Sequence, residues 1–207
     1  MLKLHGYWRS GTSYRTRIAL NLKGLAYEHV GIDLRQGAHK SPEYLTLNPQ
    51  GLVPALEADG RVLTQSPAIL EWLEETHPDP PLLPRDPTDR AEVRAMAALI
   101  GCDVHPLNNL RVLKAVAELG GEQKAWTARW IAAGFEALER YIERRGGRYS
   151  FGDSPTLADC YLVPQVYSAR RFEVDLAPYP RITAVDAALN ELAAIAAAHP
   201  DRQPDAD

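Results

Sequence analysis

The chain has 207 residues, 45% hydrophobic and 24% charged, with a net charge of −4. A chain of this length buries a substantial core without staples, and its composition is that of an ordinary globular protein. The negative balance gives no reason to expect nucleic acid, no apolar run reaches the roughly 18 residues of a membrane span, and an anionic ligand would need a local cluster of arginines.

Leu2 to Trp8 is predicted as a strand, and the N-terminus lacks the apolar region and small-residue cleavage site of a signal peptide. It ends at Arg9-Ser10-Gly11-Thr12, after which Ile18, Ala19, Leu22 and Leu25 recur at helical spacing, with Arg15, Arg17 and Lys23 off that face. Tyr27 to Asp33 reads as a second strand. A short helical turn, Glu43 to Leu47, closes at Asn48-Pro49-Gln50-Gly51. Val53–Ala58 and Val62–Thr64 flank Asp59-Gly60, a hairpin signal. Ser66 followed by Pro67 opens a helix carrying Ile69, Leu70, Trp72 and Leu73. This order is that of a thioredoxin-like domain, assigned to residues 1–79.

The Pro-rich stretch from Asp79 to Pro87 reads as a linker, and residues 88–207 as an all-helical domain. Arg90 to Ala117 is predicted as one long helix, bent near Pro106. Trp126, Trp130, Gly134, Leu138 and Ile142 mark a second, and Thr156-Leu157-Ala158-Asp159 opens a third with capping-box spacing. A last helix carries Ile182, Val185, Leu189 and Leu192, and the polar tail from Pro200 is expected to fray. The two cysteines, Cys102 and Cys160, lie in apolar patterns without CxxC or zinc spacing, which predicts reduced core side chains and no metal.

Three constellations carry chemistry. At Trp8-Arg9-Ser10-Gly11-Thr12-Ser13 a strand feeds a helix whose N-terminal amides and dipole stabilise an anion. A thiolate there would be held ionised, and since no cysteine occupies the position it would come from a bound thiol; simple capping by Ser10, Thr12 and Ser13 is the alternative. Val53-Pro54 begins a strand with a residue unable to donate to the ladder, and a cis bond there would present the Val53 backbone to an extended peptide. Gln65-Ser66 offers an amide, a hydroxyl and helix N-terminal N–H groups to a carboxylate. Together they suit a small acidic peptide.

This arrangement resembles the glutathione transferases, and Arg9-Ser10-Gly11-Thr12-Ser13-Tyr14-Arg15-Thr16-Arg17-Ile18-Ala19-Leu20 resembles the zeta-class motif Ser-Ser-Cys-x-Trp-Arg-Val-Arg-Ile-Ala-Leu. Gly11 and Thr12 replace its second serine and cysteine, and Tyr14 its tryptophan. The likeness continues through Leu47-Asn48-Pro49, Gln65-Ser66-Pro67-Ala68-Ile69, His105-Pro106-Leu107-Asn108-Asn109 and Thr156-Leu157-Ala158-Asp159-Cys160, covering essentially the whole chain. It implies a glutathione transferase fold, glutathione as cofactor, and Ser10, Gly11 and Thr12 around the sulfur. Val53 would meet the cysteinyl backbone, Gln65 and Ser66 the γ-glutamyl end, and His39, His105, Asn109 and Arg111 further parts of the site; taken without the family, His39 and His105 read as surface or packing residues.

The resemblance further implies a cytoplasmic homodimer that acts on a small anionic diacid and touches neither nucleic acid nor membrane. The expected reaction is cis–trans isomerisation of a maleyl diacid, with Arg9 and Arg171 as carboxylate and enolate ligands and Ser10 and Thr12 at the sulfur. Arg170 and Arg171 are about 100° apart on a helix, so one faces the cleft; the family likeness selects Arg171 and leaves Arg170 solvated. Maleylacetoacetate is the leading substrate and maleylpyruvate the runner-up, ahead of a transferase of α-halo acids. A glutathione-fold binding module without catalysis is the reading from a different class.

Overall fold

A computed structural model describes all 207 residues. It divides into two compact units, residues 1–82 together with 192–207, and residues 83–191. The sequence reading placed 192–207 with the helical domain; the structure packs them in the first unit.

That unit is built on a four-stranded sheet of order β2-β1-β3-β4. Strand β1 (Leu2–Gly6) runs parallel to β2 (Tyr27–Gly31), with Leu4 opposite His29. On its other edge β1 pairs antiparallel with β3 (Ala55–Ala58), which turns through Asp59-Gly60 into β4 (Arg61–Thr64). The parallel β1–β2 pair requires a crossover, supplied by helix α1 (Gly11–Leu22). A short α2 (Pro42–Leu47) and α3 (Ser66–Thr76) complete the thioredoxin-like fold.

Helix α1 packs against α3 and against α9 (Ala193–Ala198). The residues that the apolar pattern left off its buried face are therefore inside: Arg15, Arg17 and Lys23 are 2%, 0% and 5% exposed. Each has polar partners to offset its desolvation. The Lys23 ammonium donates to Glu74 at 2.8 Å and to the carbonyls of His77 at 2.7 Å and Pro80 at 3.1 Å. Arg17 donates to the carbonyls of Trp8 at 2.8 Å and Ala198 at 3.0 Å.

The second unit is all-helical: α4 (Pro87–Ala98), α5 (Leu110–Glu118), α6 (Gln123–Arg145), α7 (Leu157–Arg171) and α8 (Pro180–Asn190). The single helix expected over 90–117 is interrupted. A π-helical segment, Leu99–Val104, and a 3₁₀ turn, His105–Asn108, separate α4 from α5. Pro106 has no N–H to continue an α-helical ladder, and Asn109 caps anew, its side chain accepting from the Arg111 N–H at 3.2 Å. The π segment leaves Cys102 exposed, contrary to the core position expected, while Cys160 is buried.

The capping box at Thr156 is present: the Asp159 carboxylate accepts from the Thr156 N–H at 2.7 Å and reaches back to Ser150 N–H at 3.0 Å. The last predicted helix ends at Asn190, and a new helix starts at Ala193 within the other unit. Beyond it the tail is not frayed. Gln203 is buried and donates to the carbonyls of Ala197 at 3.0 Å and His199 at 2.8 Å.

Candidate active site

The candidate sulfur site lies where β1 enters α1. Ser10 is the N-cap of α1, its hydroxyl accepting from Ser13 N–H at 3.3 Å. Thr12 Oγ1 donates to the Val53 carbonyl at 2.9 Å. Having one proton, it must accept from Ser10 Oγ, 2.9 Å away. A directed chain thus runs from the Ser13 amide through Ser10 and Thr12 to Val53. The first amides of α1, at Gly11 and Thr12, have no acceptor within the helix, and no acidic side chain occupies its first turn. The result is a half-buried helix N-terminus whose free amides favour an anion.

Beside it, the Arg9 guanidinium lies 5.0 Å from the Trp8 ring centroid, a cation–π seat on a buried aromatic. Val53-Pro54 is a cis peptide, and Val53 packs in a small core with Tyr7, Trp8 and Tyr44.

The Gln65-Ser66 end is equally built. Gln65 has φ of +67°, a region that costs a non-glycine residue roughly 1–3 kcal/mol and persists where the surroundings over-determine it. Its side-chain amide meets Gln50 at 2.5 Å. Ser66 opens α3 and is 2% exposed; its hydroxyl accepts from the buried Arg15 at 3.1 Å. That leaves the Ser66 proton to donate to a ligand, with a guanidinium behind it. His39 sits in the 3₁₀ turn Ala38–Lys40; burial, then the Lys40 charge, lowers its pKa. Arg15 and Gln50, which sequence reasoning missed, contact Ser66 and Gln65 and so join the candidate site. Arg15 lies off the apolar face that the helical spacing picks out, and Gln50 carries no signal beyond its turn.

The remaining candidates belong to the helical unit. His105 starts the 3₁₀ turn, Asn109 caps α5, and Arg111 is exposed on its first turn. Arg171 ends α7 with its guanidinium 4.8 Å from the Phe172 ring centroid. Arg170 is not merely solvated: it pairs at 2.7 Å with Asp186, whose side chain is 2% exposed.

The family model for the glutathione S-transferase N-terminal domain matches residues 9–76, and that for the C-terminal domain matches residues 124–191. A maleylpyruvate isomerase from Ralstonia sp. is 56% identical over 99% of both chains. The chain belongs to the zeta class of glutathione S-transferases. The solved holo structure of maleylpyruvate isomerase, a bacterial enzyme of this class, superposes with a TM-score of 0.97 at 55% identity, covering 99% of this chain and all of the other. Maleylacetoacetate isomerase from Anaeromyxobacter dehalogenans 2CP-1, solved with glutathione in its active site, has a TM-score of 0.90 and 49% identity over 100% and 98% of the two chains. This zeta-class chain therefore stands in the family of glutathione-dependent isomerases of maleyl diacids.

Proposed function

We propose that the chain is a glutathione-dependent maleylpyruvate isomerase, with maleylacetoacetate as the second reading. The observation that carries the enzyme assignment is the Ser10–Thr12–Val53 hydroxyl chain at the α1 N-terminus, where no acid and no protein thiol stands. The sequence reading put maleylacetoacetate first. The higher identity to the Ralstonia enzyme is what supports naming maleylpyruvate first in this proposal, and the Anaeromyxobacter structure supports the alternative.

The donor set fits glutathione. Ser66, backed by Arg15, and the amides of Gln65 and Gln50 suit the γ-glutamyl carboxylate and ammonium, the Val53 backbone suits the cysteinyl amide, and Ser10 with the first amides of α1 suits the sulfur. Once bound, glutathione supplies a thiolate whose addition turns the maleyl double bond into a rotatable single bond and whose departure leaves the fumaryl isomer. The free first amides of α1 at Gly11 and Thr12, with the Ser10 hydroxyl once its proton turns from Thr12 to the sulfur, keep that sulfur ionised at neutral pH. Arg9 holds a substrate carboxylate from its seat on Trp8 and stabilises the negative charge that builds next to it. Arg171 is the second guanidinium of the proposal, with His39, His105, Asn109 and Arg111 as supporting ligands. A cytoplasmic homodimer belongs to the same proposal.

The test is turnover of maleylpyruvate and maleylacetoacetate side by side, with and without glutathione. Glutathione-dependent isomerisation with higher kcat/KM for maleylpyruvate is expected. Preference for maleylacetoacetate would select the second reading. Glutathione binding without turnover of either diacid would overturn both.

A further inference from the structure

The C-terminal segment beyond α9 returns to the β1 end of the sheet. The Asp205 carboxylate accepts from the Trp8 N–H at 2.9 Å and its other oxygen meets His29 Nε2 at 2.8 Å. The Trp8 carbonyl is held at 2.8 Å by Arg17, which also binds the Ala198 carbonyl of α9. Both backbone polar groups of Trp8 are therefore fixed, one by the tail and one by a side chain that the preceding helix also engages. Trp8 is the residue on whose ring Arg9 rests, and Ser10 N–H closes the turn onto the Tyr7 carbonyl at 3.0 Å. The seat is shaped for the tail: a Cβ on Gly31 would stand 2.9 Å from Asp205 Cβ, and Ala206 packs against the cluster of Tyr7, Trp8 and Val53.

We propose that Asp205 is a positioning residue of the isomerase. By holding the Trp8 peptide, the tail sets the direction of Arg9 and the height of Ser10 against the bound sulfur. This rests on the proposed function. Misplacing groups that align reacting atoms costs rate even when the change lies outside the chemistry, whereas the Gln65 and Ser66 side chains are held by Gln50 and Arg15. A tail released from Trp8 should thus lower kcat and leave glutathione affinity in place.

The experiment compares Asp205→Ala, Asp205→Asn and Gly31→Ala with the native protein. Readouts are kcat and KM for the diacid, the ultraviolet thiolate band of bound glutathione, glutathione affinity by calorimetry, and exchange of the Trp8, Arg9 and Ser10 amides by NMR. Asp205→Ala and Gly31→Ala should lose about 10-fold in kcat, weaken the thiolate band, speed exchange at Trp8 and keep glutathione affinity within about 2-fold. Asp205→Asn keeps an acceptor for the Trp8 N–H and should restore kcat to within about 3-fold of native. Native kcat and thiolate band in both Asp205→Ala and Gly31→Ala would overturn the proposal. So would Asp205→Asn losing as much as Asp205→Ala. Should the native protein bind no glutathione, the function itself fails, and the exchange rate at Trp8 still decides whether the tail holds the loop.

Discussion

The buried Arg15 guanidinium donates at 3.1 Å to the Ser66 hydroxyl at the start of α3, so the presumed carboxylate end of the ligand is backed by a charge that never reaches solvent. In the proposed complex the Ser66 hydroxyl accepts from Arg15 and donates its proton to the ligand. Ser66→Ala should raise the glutathione Kd at least about 10-fold, as loss of a hydrogen bond to a charged group implies, with kcat at saturating glutathione changed far less. Calorimetric titration beside steady-state rates checks this; an unchanged Kd would remove Ser66 from the site.

The chain of hydroxyls at the sulfur site makes Ser10 and Thr12 separable. Ser10→Ala deletes both the N-cap and the hydroxyl proposed to turn its proton to the sulfur. It should cost about 1 kcal/mol of stability and on the order of 10² in kcat. Thr12→Ser keeps the donor to the Val53 carbonyl and should stay within about 3-fold of native. Thr12→Val strands that carbonyl and should lose both stability and rate, by about 1–2 kcal/mol and about 10-fold. Urea unfolding and kcat measured on the same three proteins decide the order.

What the sequence made legible follows from how local each signal is. The Asp59-Gly60 hairpin, Ser66-Pro67 and the Thr156 capping box are short-range patterns, and each is found where expected. Helix α1 defeated the periodicity because α3 and α9 both pack against it, so buried charges stand where a one-faced helix would put solvent. The break at Leu99–Asn108 hid for a related reason: a π segment keeps apolar residues near helical spacing while changing register. The tail looked frayed because its composition is polar. Its order depends on Trp8, His29 and Arg35, residues far away in the chain.

Lys23 and Glu74 illustrate buried charge held by full satisfaction. Glu74 accepts from Lys23 and, with the same oxygen, from the Leu82 N–H at 3.0 Å. Glu74→Ala strands the ammonium and should cost about 3–5 kcal/mol. Lys23→Met combined with the same Glu74→Ala removes both charges and should lose clearly less than the sum of the two single changes. Chemical unfolding of the four proteins of this cycle is the measurement; additivity within about 0.5 kcal/mol would show the pair to be uncoupled.

Asp159 is wholly buried, and that burial pushes its carboxyl above the usual value of 3.8 against the hydrogen bonds from Ser150 and Thr156. A raised native value means that, between the unfolded and folded values, the native state holds the extra proton. The stability contributed by this group is therefore full below the unfolded value and declines as pH rises through the folded one. Asp159→Asn removes that titration, so its cost relative to native should be larger near pH 4 than at pH 7. Urea midpoints at the two pH values test the sign.

Gly134 lies mid-way along α6, where glycine costs a helix up to about 1 kcal/mol relative to alanine. On propensity alone Gly134→Ala should stabilise. The structure reverses that expectation, because a Cβ at Gly134 would stand 2.2 Å from Val104 Cγ2 and 3.4 Å from Leu99 Cδ2. Both neighbours belong to the π segment, which α6 contacts directly. Overpacking of this kind costs about 1–3 kcal/mol, so the net effect of Gly134→Ala should be a lower unfolding midpoint. Val104→Ala shortens the opposing side chain and should recover part of the loss when combined with it, while being destabilising alone through the cavity it opens. If Gly134→Ala proved more stable than native, Val104 would have to move aside freely, and the close approach of α6 to the π segment would not be what requires glycine there.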